Sequence, residues 1–222
     1  MLGTLELAKM IDYTMLRPDT TTNDIKRICS ETTKYGFYSV CINPYYVGLA
    51  TKFLIGTKVK VCSVVGFPLG ANSRKVKAFE AQTAVSEGAD EIDMVMNIGA
   101  LKSLDFEFVK EDIREVVFRV KEMNKDVIVK VIIETGLLTE GEKIISCQLT
   151  KEAGADFVKT STAFNGSVAT VSDVRLIRSI VGPNFGIKAS GGIRTYLDAT
   201  NLINAGANRL GTSTAVQIIE QQ

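Results

Sequence analysis

The sequence predicts a single (β/α)8 TIM barrel that spans residues 1–222 as one domain. Short apolar, β-branched runs alternate with segments of helical period along the whole chain. No linker or low-complexity stretch interrupts this alternation. About eight strand–helix units in a chain of this length fit a closed barrel better than an open, doubly wound sheet.

The strand candidates are short runs rich in valine and isoleucine. The first run is weak and is supported mainly by the count, whereas the other seven are supported by their own pattern. In chain order they are Met10–Tyr13, Tyr38–Ile42, Lys58–Val65, Glu91–Met96, Val127–Glu134, Phe157–Thr160, Phe185–Ala189 and Arg209–Thr212.

The segments between the strands place apolar residues at i, i+3 and i+4, which is the spacing of an amphipathic helix. Because helices that connect successive strands make those strands parallel, we expect a parallel sheet with crossover helices. The predicted helices are Asn23–Tyr35, Ser73–Glu87, Phe106–Asn124, Gly141–Glu152 and Val171–Val181.

A short pattern recurs three times, in which Gly-Ala-Asp or Gly-Ala-Asn precedes an apolar strand. Its copies begin at Gly88, Gly154 and Gly206. Glycine suits the left-handed residue that ends a helix, and Asp or Asn suits the turn that follows. Five positions after each glycine stand Asp93, Lys159 and Gly211. Equivalent positions in equivalent units predict that these three residues lie at one level of the barrel and point inward.

The composition argues against several classes of function. The chain has 26 basic and 25 acidic residues, so no basic excess indicates binding to nucleic acid or to a membrane surface. Charges at Glu6, Lys9 and Asp12 interrupt the N-terminal segment, which predicts neither a signal peptide nor a membrane span. The four cysteines lie far apart without a CxxC pair, which favours free thiols in the cytoplasm.

The chain contains no histidine. This absence excludes Ser-His-Asp and Cys-His triads, and it excludes the histidine-rich zinc sites of metal-dependent aldolases. Acid–base or nucleophilic chemistry must therefore come from Lys, Asp, Glu, Tyr, Cys or hydroxyl groups. We expect no metal site.

Lys159 and Lys188 stand near the ends of two consecutive predicted strands. Each could simply reach into water or form an ion pair inside the barrel, since charged lysines are rarely buried without a partner. Alternatively, their positive charges disfavour each other's protonation, so that one becomes a free amine able to form a Schiff base. Asp93 is either a structural partner for a barrel lysine or an acid–base group beside Lys188.

Two clusters of small residues follow the seventh and eighth strands, Ser190-Gly191-Gly192 and Gly211-Thr212-Ser213. Barrels often bind phosphate at these two loops through backbone N–H groups, although a lone Gly-Gly is usually a turn. The two clusters together favour a phosphorylated substrate. The remaining charges near strand ends are interpreted as members of ion pairs, and these are Asp12, Lys130 and Glu134.

Eight segments resemble motifs of the deoxyribose-phosphate aldolase family, in family order and over nearly the whole chain. They cover residues 11–16, 40–44, 63–70, 91–95, 130–135, 157–162, 188–194 and 211–213. The resemblance implies a class I aldolase that needs neither a metal nor an organic cofactor. It implies that Lys159 is the Schiff-base lysine, that Lys188 perturbs it, and that Asp93 is the acid–base carboxylate, working with Lys188 through an ordered water.

The same resemblance implies the ligands. Thr162, Gly191, Gly192, Gly211 and Ser213 match positions that contact the substrate or its phosphate, and Asp12 and Cys41 match positions that line the pocket. The implied reaction is the reversible cleavage of 2-deoxy-D-ribose 5-phosphate to D-glyceraldehyde 3-phosphate and acetaldehyde, in deoxyribonucleoside catabolism. The implied partners are small phosphorylated sugars and aldehydes, and the implied assembly is a homo-oligomer, either a dimer or a tetramer.

The chain departs from the family pattern at several positions. Tyr13 stands where many members have His, and Arg17 where Lys is frequent. Ala163 replaces a common glycine, Leu104 interrupts a usual Lys-Ser-Gly-Asp, and no C-terminal Tyr follows Gln222. None of these departures touches the set formed by the two lysines and Asp93.

Three alternatives remain open on the residues alone. The first is another lysine aldolase or a transaldolase with a different donor. The second is a phosphosugar isomerase that moves protons through Asp93 or Glu134 without a Schiff base. The third is a catalytically silent barrel that binds a phosphorylated ligand.

Overall fold

A computed structural model describes residues 3–221 of the chain. Its centre is a closed barrel of parallel strands in the order β1 to β8, so the predicted (β/α)8 barrel is confirmed. The weakly supported first strand is present as well. The strands are β1 (Ile11–Met15), β2 (Ser39–Ile42), β3 (Lys60–Val65), β4 (Glu91–Val95), β5 (Ile128–Ile132), β6 (Phe157–Lys159), β7 (Gly186–Ser190) and β8 (Arg209–Thr212).

The helices surround the barrel. They are α1 (Thr4–Ala8), α2 (Thr22–Tyr35), α3 (Val47–Leu54), α4 (Arg74–Ser86), α5 (Ile98–Lys102), α6 (Phe106–Met123), α7 (Glu140–Glu152), α8 (Val171–Val181), α9 (Tyr196–Asn204) and α10 (Ala215–Glu220). The five predicted helices correspond to α2, α4, α6, α7 and α8. The sequence analysis missed the others because the longest of them has 9 residues, too few to display a helical period.

Local sequence determines where several helices begin and end. The Thr21 side chain accepts a hydrogen bond from the backbone N–H of Asp24 and so caps the start of α2. The glycines of the recurring pattern lie in the left-handed region, with φ of 106° at Gly88, 81° at Gly154 and 117° at Gly206. They therefore reverse the chain between a helix and the next strand, as predicted.

Strand residues alternate between two environments. On β4, Ile92 and Met94 belong to the apolar core between the strands and the helices, and both are fully buried. Glu91 and Asp93 point to the opposite side, into the barrel, where they meet charged side chains from other strands. The period-2 alternation thus separates an apolar outer layer from a charged interior, whereas barrel interiors are usually filled with branched apolar residues.

Several strand bounds differ from the predictions by one or two residues, and the ends of β5 and β7 bear on the site. β5 ends at Ile132 because Glu134, at φ 56° and ψ 64°, leaves the extended conformation. Lys188 lies two residues before the end of β7, and its Cα pairs in register with that of Lys159 at the end of β6. Lys188 therefore lies deeper in the barrel than a residue at the strand end would.

Among residues 3–221, none of the helices is both long enough and apolar enough to cross a lipid bilayer.

Candidate active site

Seven charged side chains meet inside the barrel and form one network of ion pairs. We call this network the inner charge cluster, and its members are Asp12, Glu91, Asp93, Lys130, Lys159, Lys188 and Arg209. All seven residues are at most 6% exposed to solvent. Charges at this depth require partners, because an unpaired buried charge costs several kcal/mol or more.

Asp93 is the centre of the cluster. Its Oδ2 lies 2.8 Å from the Nζ of Lys159 and 2.8 Å from the Nζ of Lys188, and its Oδ1 lies 2.8 Å from the Nζ of Lys130. Burial alone would raise the pKa of Asp93, but the three lysines outweigh it and hold that pKa well below its usual range. Asp93 is therefore a carboxylate near neutral pH.

Lys188 is enclosed between two carboxylates. Its Nζ lies 2.5 Å from Oδ2 of Asp12 and 2.8 Å from Oδ2 of Asp93, and the residue is fully buried. Burial works to lower the pKa of Lys188, but Asp12 and Asp93 outweigh it and raise that pKa well above its usual range. Lys188 is therefore the lysine that keeps its proton. Of the two lysines predicted from the sequence, only Lys159 remains as a candidate for the free amine.

A cavity of about 650 Å³ opens above the cluster, at the carboxyl ends of β6, β7, β8 and β1. In TIM-barrel enzymes the active site lies at this end of the strands. Lys159 is the member of the inner charge cluster that lines this cavity. Five residues predicted to contact the substrate line it too, namely Thr162, Gly191, Gly192, Gly211 and Ser213.

The other predicted residues lie below the cavity and not in its wall. Asp12 is fully buried, where it accepts hydrogen bonds from Ser39 at 2.7 Å and from Arg209 at 2.9 Å. Cys41 is fully buried, and its Sγ lies 3.8 Å from Oδ2 of Asp93. Both residues are buried and neither lines the cavity, which differs from their predicted place in the pocket lining.

Donor atoms of Cys41, Cys62 and Asp93 lie within 4.8 Å of one another, a spacing that a metal ion could bridge. Two observations oppose a cation there. Asp93 is already ion-paired with three lysines, whose positive charge repels a metal ion. Burial raises the pKa of the Cys62 thiol well above its usual range, which disfavours the thiolate that would act as a ligand.

The glycines after β7 and at the end of β8 allow the backbone to approach its neighbours closely. Gly191 and Gly192 have φ of 96° and 74°, which favours glycine. A Cβ at Gly191 would lie 2.6 Å from the Ser167 carbonyl oxygen, and one at Gly211 would lie 3.1 Å from Cε of Lys188. These segments therefore pack closely against their neighbours beside Lys159 in the cavity lining.

The segment that follows β6 lines the cavity but shows no signal in the sequence pattern. Ala163, Phe164, Ser167 and Val168 line the cavity beside Thr162. Glu134, predicted to form an ion pair, instead accepts hydrogen bonds from Thr162, 2.5 Å from its Oγ1 and 3.2 Å from its N. The left-handed conformation of Glu134 could not be predicted, because the apolar strand pattern continues up to this residue.

The sequence analysis also missed Arg209 and Glu91. Arg209 Nη1 lies 2.9 Å from Oδ1 of Asp12 and 3.2 Å from Oε2 of Glu91. A usable signal was present, because both residues are charged and begin predicted strands of the recurring pattern. Glu91 and Arg209 lie two residues before Asp93 and Gly211. Since every second residue of a strand points to the same side, this alternation predicts that they point into the barrel as well.

Comparison with known proteins identifies the family. The model of the DeoC/LacD aldolase family matches residues 7–214. Deoxyribose-phosphate aldolase of Thermoanaerobacter sp. (strain X514) is 57% identical, over 98% of this chain and 97% of that protein. The same enzyme of Thermococcus gammatolerans is 58% identical, over 97% of this chain and 96% of that protein.

Solved structures agree with these relatives. A deoxyribose-phosphate aldolase from Aeropyrum pernix, described as a tetramer, is 37% identical with a TM-score of 0.89, over 99% of this chain and 92% of that chain. A structure described as the aldolase QR15 is 42% identical with a TM-score of 0.91, over 97% of this chain and 95% of that chain. The chain belongs to the DeoC/LacD family of aldolases.

Proposed function

We propose that this aldolase cleaves 2-deoxy-D-ribose 5-phosphate reversibly to D-glyceraldehyde 3-phosphate and acetaldehyde through a Schiff base on Lys159. One observation carries the mechanism: Lys159 lines the cavity, whereas the other basic members of the inner charge cluster do not. The identity of the sugar is supported by relatives of that activity at 57% and 58% identity.

The charge balance of the cluster favours Lys159 as the free amine. Four basic side chains face three carboxylates, so the cluster carries one excess positive charge when every group is ionised. Arg209 does not lose its proton near neutral pH, and the pKa values of Lys130 and Lys188 are raised by their carboxylate partners against the effect of burial. Release of the excess proton from Lys159 leaves the buried cluster neutral, which is its least costly state.

The proposed steps follow from this arrangement. Neutral Lys159 attacks the C1 aldehyde of the open-chain sugar and loses water to form an imine. The imine takes up a proton, which makes it the electron acceptor. A base removes the C3 hydroxyl proton, the C2–C3 bond breaks to release glyceraldehyde 3-phosphate, and its electron pair moves into the protonated imine to give a neutral enamine. Protonation of the enamine at C2 and hydrolysis release acetaldehyde and restore Lys159.

Asp93 and Lys188 are proposed to move the protons as a relay. Asp93 in the resting cluster is a weak base, since three lysines stabilise its charge. Lys188 is a proton donor 2.8 Å away and can return a proton to the enamine as Asp93 accepts one. The pair therefore acts together, and neither residue is expected to substitute for the other.

The phosphate is proposed to bind beside the glycines after β7 and at the end of β8, in the cavity that Thr162 also lines. Gly191, Gly192, Gly211 and Ser213 line this part of the cavity. Binding energy at the phosphate positions C1 against Lys159, remote from the bond that breaks.

The proposed setting is deoxyribonucleoside catabolism in the cytoplasm, and the buried free state of all four cysteines supports a reducing compartment. The proposed assembly is a homo-oligomer, a dimer or a tetramer. It is supported by the tetrameric relative from Aeropyrum pernix. Sedimentation equilibrium of the purified chain tests the assembly, and a monomer at micromolar concentration would contradict it.

Trapping the imine tests the mechanism directly. The protein is incubated with acetaldehyde, reduced with borohydride, digested and mapped by mass spectrometry. We expect one ethyl adduct, confined to Lys159. A folded protein without an adduct would exclude the Schiff base and favour an isomerase or a silent barrel.

The variant Lys159→Leu sharpens the test. It should abolish both the adduct and the cleavage of 2-deoxyribose 5-phosphate while the circular dichroism spectrum stays native. The exposed Lys125 provides the matched control, because Lys125→Leu removes a lysine far from the cavity lining and should retain both. Full turnover by Lys159→Leu would contradict the proposal.

A further inference from the structure

Arg209 is one of the members of the inner charge cluster to which the proposed steps give no role. It begins β8 and is 6% exposed, and it lies at the bottom of the cluster away from the cavity lining. Its Nη1 contacts Oδ1 of Asp12 at 2.9 Å and Oε2 of Glu91 at 3.2 Å. Its guanidinium lies 3.4 Å from the centre of the Tyr38 ring.

These contacts place Arg209 at the junction of two chains of ion pairs. Asp12 continues to Lys188, with Nζ 2.5 Å from Oδ2, and Lys188 continues to Asp93. Glu91 continues to Lys130, with Nζ 2.6 Å from Oε2, and Lys130 also reaches Asp93. Both chains end at the carboxylate that holds Lys159. A charge at Arg209 is therefore linked to the nucleophile through two routes.

We propose that Arg209 is a positioning residue for the nucleophile. Its permanent positive charge neutralises one carboxylate of the cluster, so that Lys159 is left as the amine without a proton. This inference rests on the proposed Schiff-base function. Without Arg209, three lysines face three carboxylates, and the cluster is neutral only when Lys159 is protonated. A lysine in the same place would preserve the count, whereas an apolar residue would not.

The aromatic surroundings fit this role. Tyr38 covers one region of the guanidinium, and the Phe157 ring centre lies 5.8 Å from it. These rings stabilise a cation and keep water away from it, which strengthens its interaction with the two carboxylates. A single nitrogen of the guanidinium, Nη1, contacts both carboxylates, at 2.9 Å from Oδ1 of Asp12 and at 3.3 Å from Oε1 and 3.2 Å from Oε2 of Glu91.

Several other titratable groups lie on the elements that surround the cluster. They are Asp12 on β1, Cys41 on β2, Cys62 on β3, Glu91 and Asp93 on β4, Lys130 on β5, Glu134 just after β5, and Lys188 on β7. Glu91 is the informative one to vary, because it contacts Arg209 and Lys130 but neither Lys159 nor Lys188 in the network of ion pairs.

The test is the pH dependence of imine formation. Protein and acetaldehyde are incubated for a fixed short time at each pH, then reduced with borohydride at one common pH, and the ethyl adduct is quantified by intact mass. For Arg209→Met we expect the acid limb of this profile to move about one pH unit upward, because Lys159 then retains its proton. Arg209→Lys should stay close to the unmodified protein.

For Glu91→Gln we expect a shift of the acid limb in the opposite direction. It leaves four basic groups facing two carboxylates, so the acid limb should move to lower pH. The double variant Arg209→Met with Glu91→Gln leaves three basic groups facing two carboxylates and restores one excess positive charge. Its acid limb should return close to that of the unmodified protein, although each single change moves it.

Lys77→Met is the matched control for loss of a buried cation. Lys77 is fully buried between α4 and α6, where its Nζ lies 2.6 Å from Oδ2 of Asp112. Its loss should lower the urea midpoint and leave the acid limb in place. A loss of stability by itself is therefore not expected to move the acid limb as Arg209→Met does.

The outcomes are distinguishable. If the unmodified protein forms no adduct, the proposed function fails. If it forms the adduct but a folded Arg209→Met keeps the same acid limb, the role of Arg209 is overturned. An equal shift of the acid limb in Arg209→Lys would also overturn it, because the shift would then depend on the shape of the side chain and not on its charge. If Arg209→Met does not fold, an unchanged limb in Glu91→Gln is the overturning result.

Discussion

At the scale of single residues, Asp93 is the centre of the buried charge. Its carboxylate oxygens lie 2.8 Å from the Nζ atoms of three lysines, Lys130, Lys159 and Lys188. Removing one lysine would leave a buried carboxylate partly unpaired, which is costly at zero solvent exposure. The ion pairs that stabilise the barrel interior therefore include the one that holds Lys159 at the wall of the cavity.

Leu104 provides a test of residue conformation. It follows α5 with φ 61°, in the left-handed region, and it is 71% exposed. Leu104→Gly should relieve about 1 kcal/mol of backbone strain and lose about 0.5 kcal/mol through the greater freedom of the unfolded chain, for a net gain of about 0.5 kcal/mol. Urea unfolding monitored by circular dichroism measures this change.

The matched control for Leu104 is Leu197, an exposed leucine in α9 with helical conformation. Leu197→Gly should destabilise the protein by about 1 kcal/mol, since glycine is a poor helix residue. Loss of stability of similar size in both variants would show that the left-handed conformation at Leu104 carries no strain.

At the scale of elements, a carboxylate anchors the loop between β6 and α8. Glu134 is fully buried, and its Oε2 accepts hydrogen bonds from Thr162 and from Nδ2 of Asn165 at 3.4 Å. Gly136 lies close to the same loop, because a Cβ there would overlap Ser167. The turn after β5 therefore holds the part of the cavity wall that carries Thr162.

The variant Glu134→Gln tests this anchor. Loss of charge weakens the hydrogen bonds to Thr162 by about 1 kcal/mol, so we expect KM for 2-deoxyribose 5-phosphate to rise about fivefold. Trapping with acetaldehyde should change little, because acetaldehyde has no phosphate to contact the loop. Steady-state kinetics and adduct mapping make the comparison.

The exposed Glu140, at the start of α7, provides the control for Glu134. Glu140→Gln should alter neither KM nor trapping. Equal losses of cleavage and of trapping in Glu134→Gln would indicate that Glu134 supports the whole site and not the loop alone.

At the scale of the whole molecule, closure of the barrel brings Asp12 and Asp93 next to basic side chains. The ionised carboxylates therefore contribute to the free energy of unfolding. Burial opposes ionisation of Asp12, but Lys188, Arg209 and Lys130 outweigh it and lower the pKa of that carboxyl, and the pKa of Asp93 is lowered in the same way. A lowered pKa in the folded state means that the unfolded chain binds protons more readily. This stabilisation is complete above about pH 5, and it is lost as the pH falls towards the folded-state values.

We therefore expect the urea midpoint to be steady from about pH 5 to 8 and to fall continuously below about pH 4. Asp12→Asn should flatten this acid decline, because it removes one of the responsible groups. Asp112→Asn is the control, since burial outweighs Lys77 and raises the pKa of Asp112, which gives the opposite sign. A midpoint that is unchanged down to pH 3 would contradict the expectation.

Local sequence was sufficient for the architecture and for the centre of the site. Strand and helix periods, together with the recurring glycines, predicted the barrel and brought Asp93, Lys159 and Gly211 to one level. Such features depend on residues close in the chain, so a linear pattern records them. The short helices and the end of β5 escaped because they contain too few residues to show a period.

The sequence by itself determined the barrel, the pair of lysines and the glycine loops. Tertiary structure alone decided that Lys188 lies below the cavity, that Asp12 and Cys41 are covered, and that Arg209 joins Asp12 to Glu91. These facts depend on the register between β1 and β8 and on distances across the barrel, between residues up to 197 positions apart in the chain. Coulomb interactions act through space, so the partners of each buried charge are fixed only when the barrel closes.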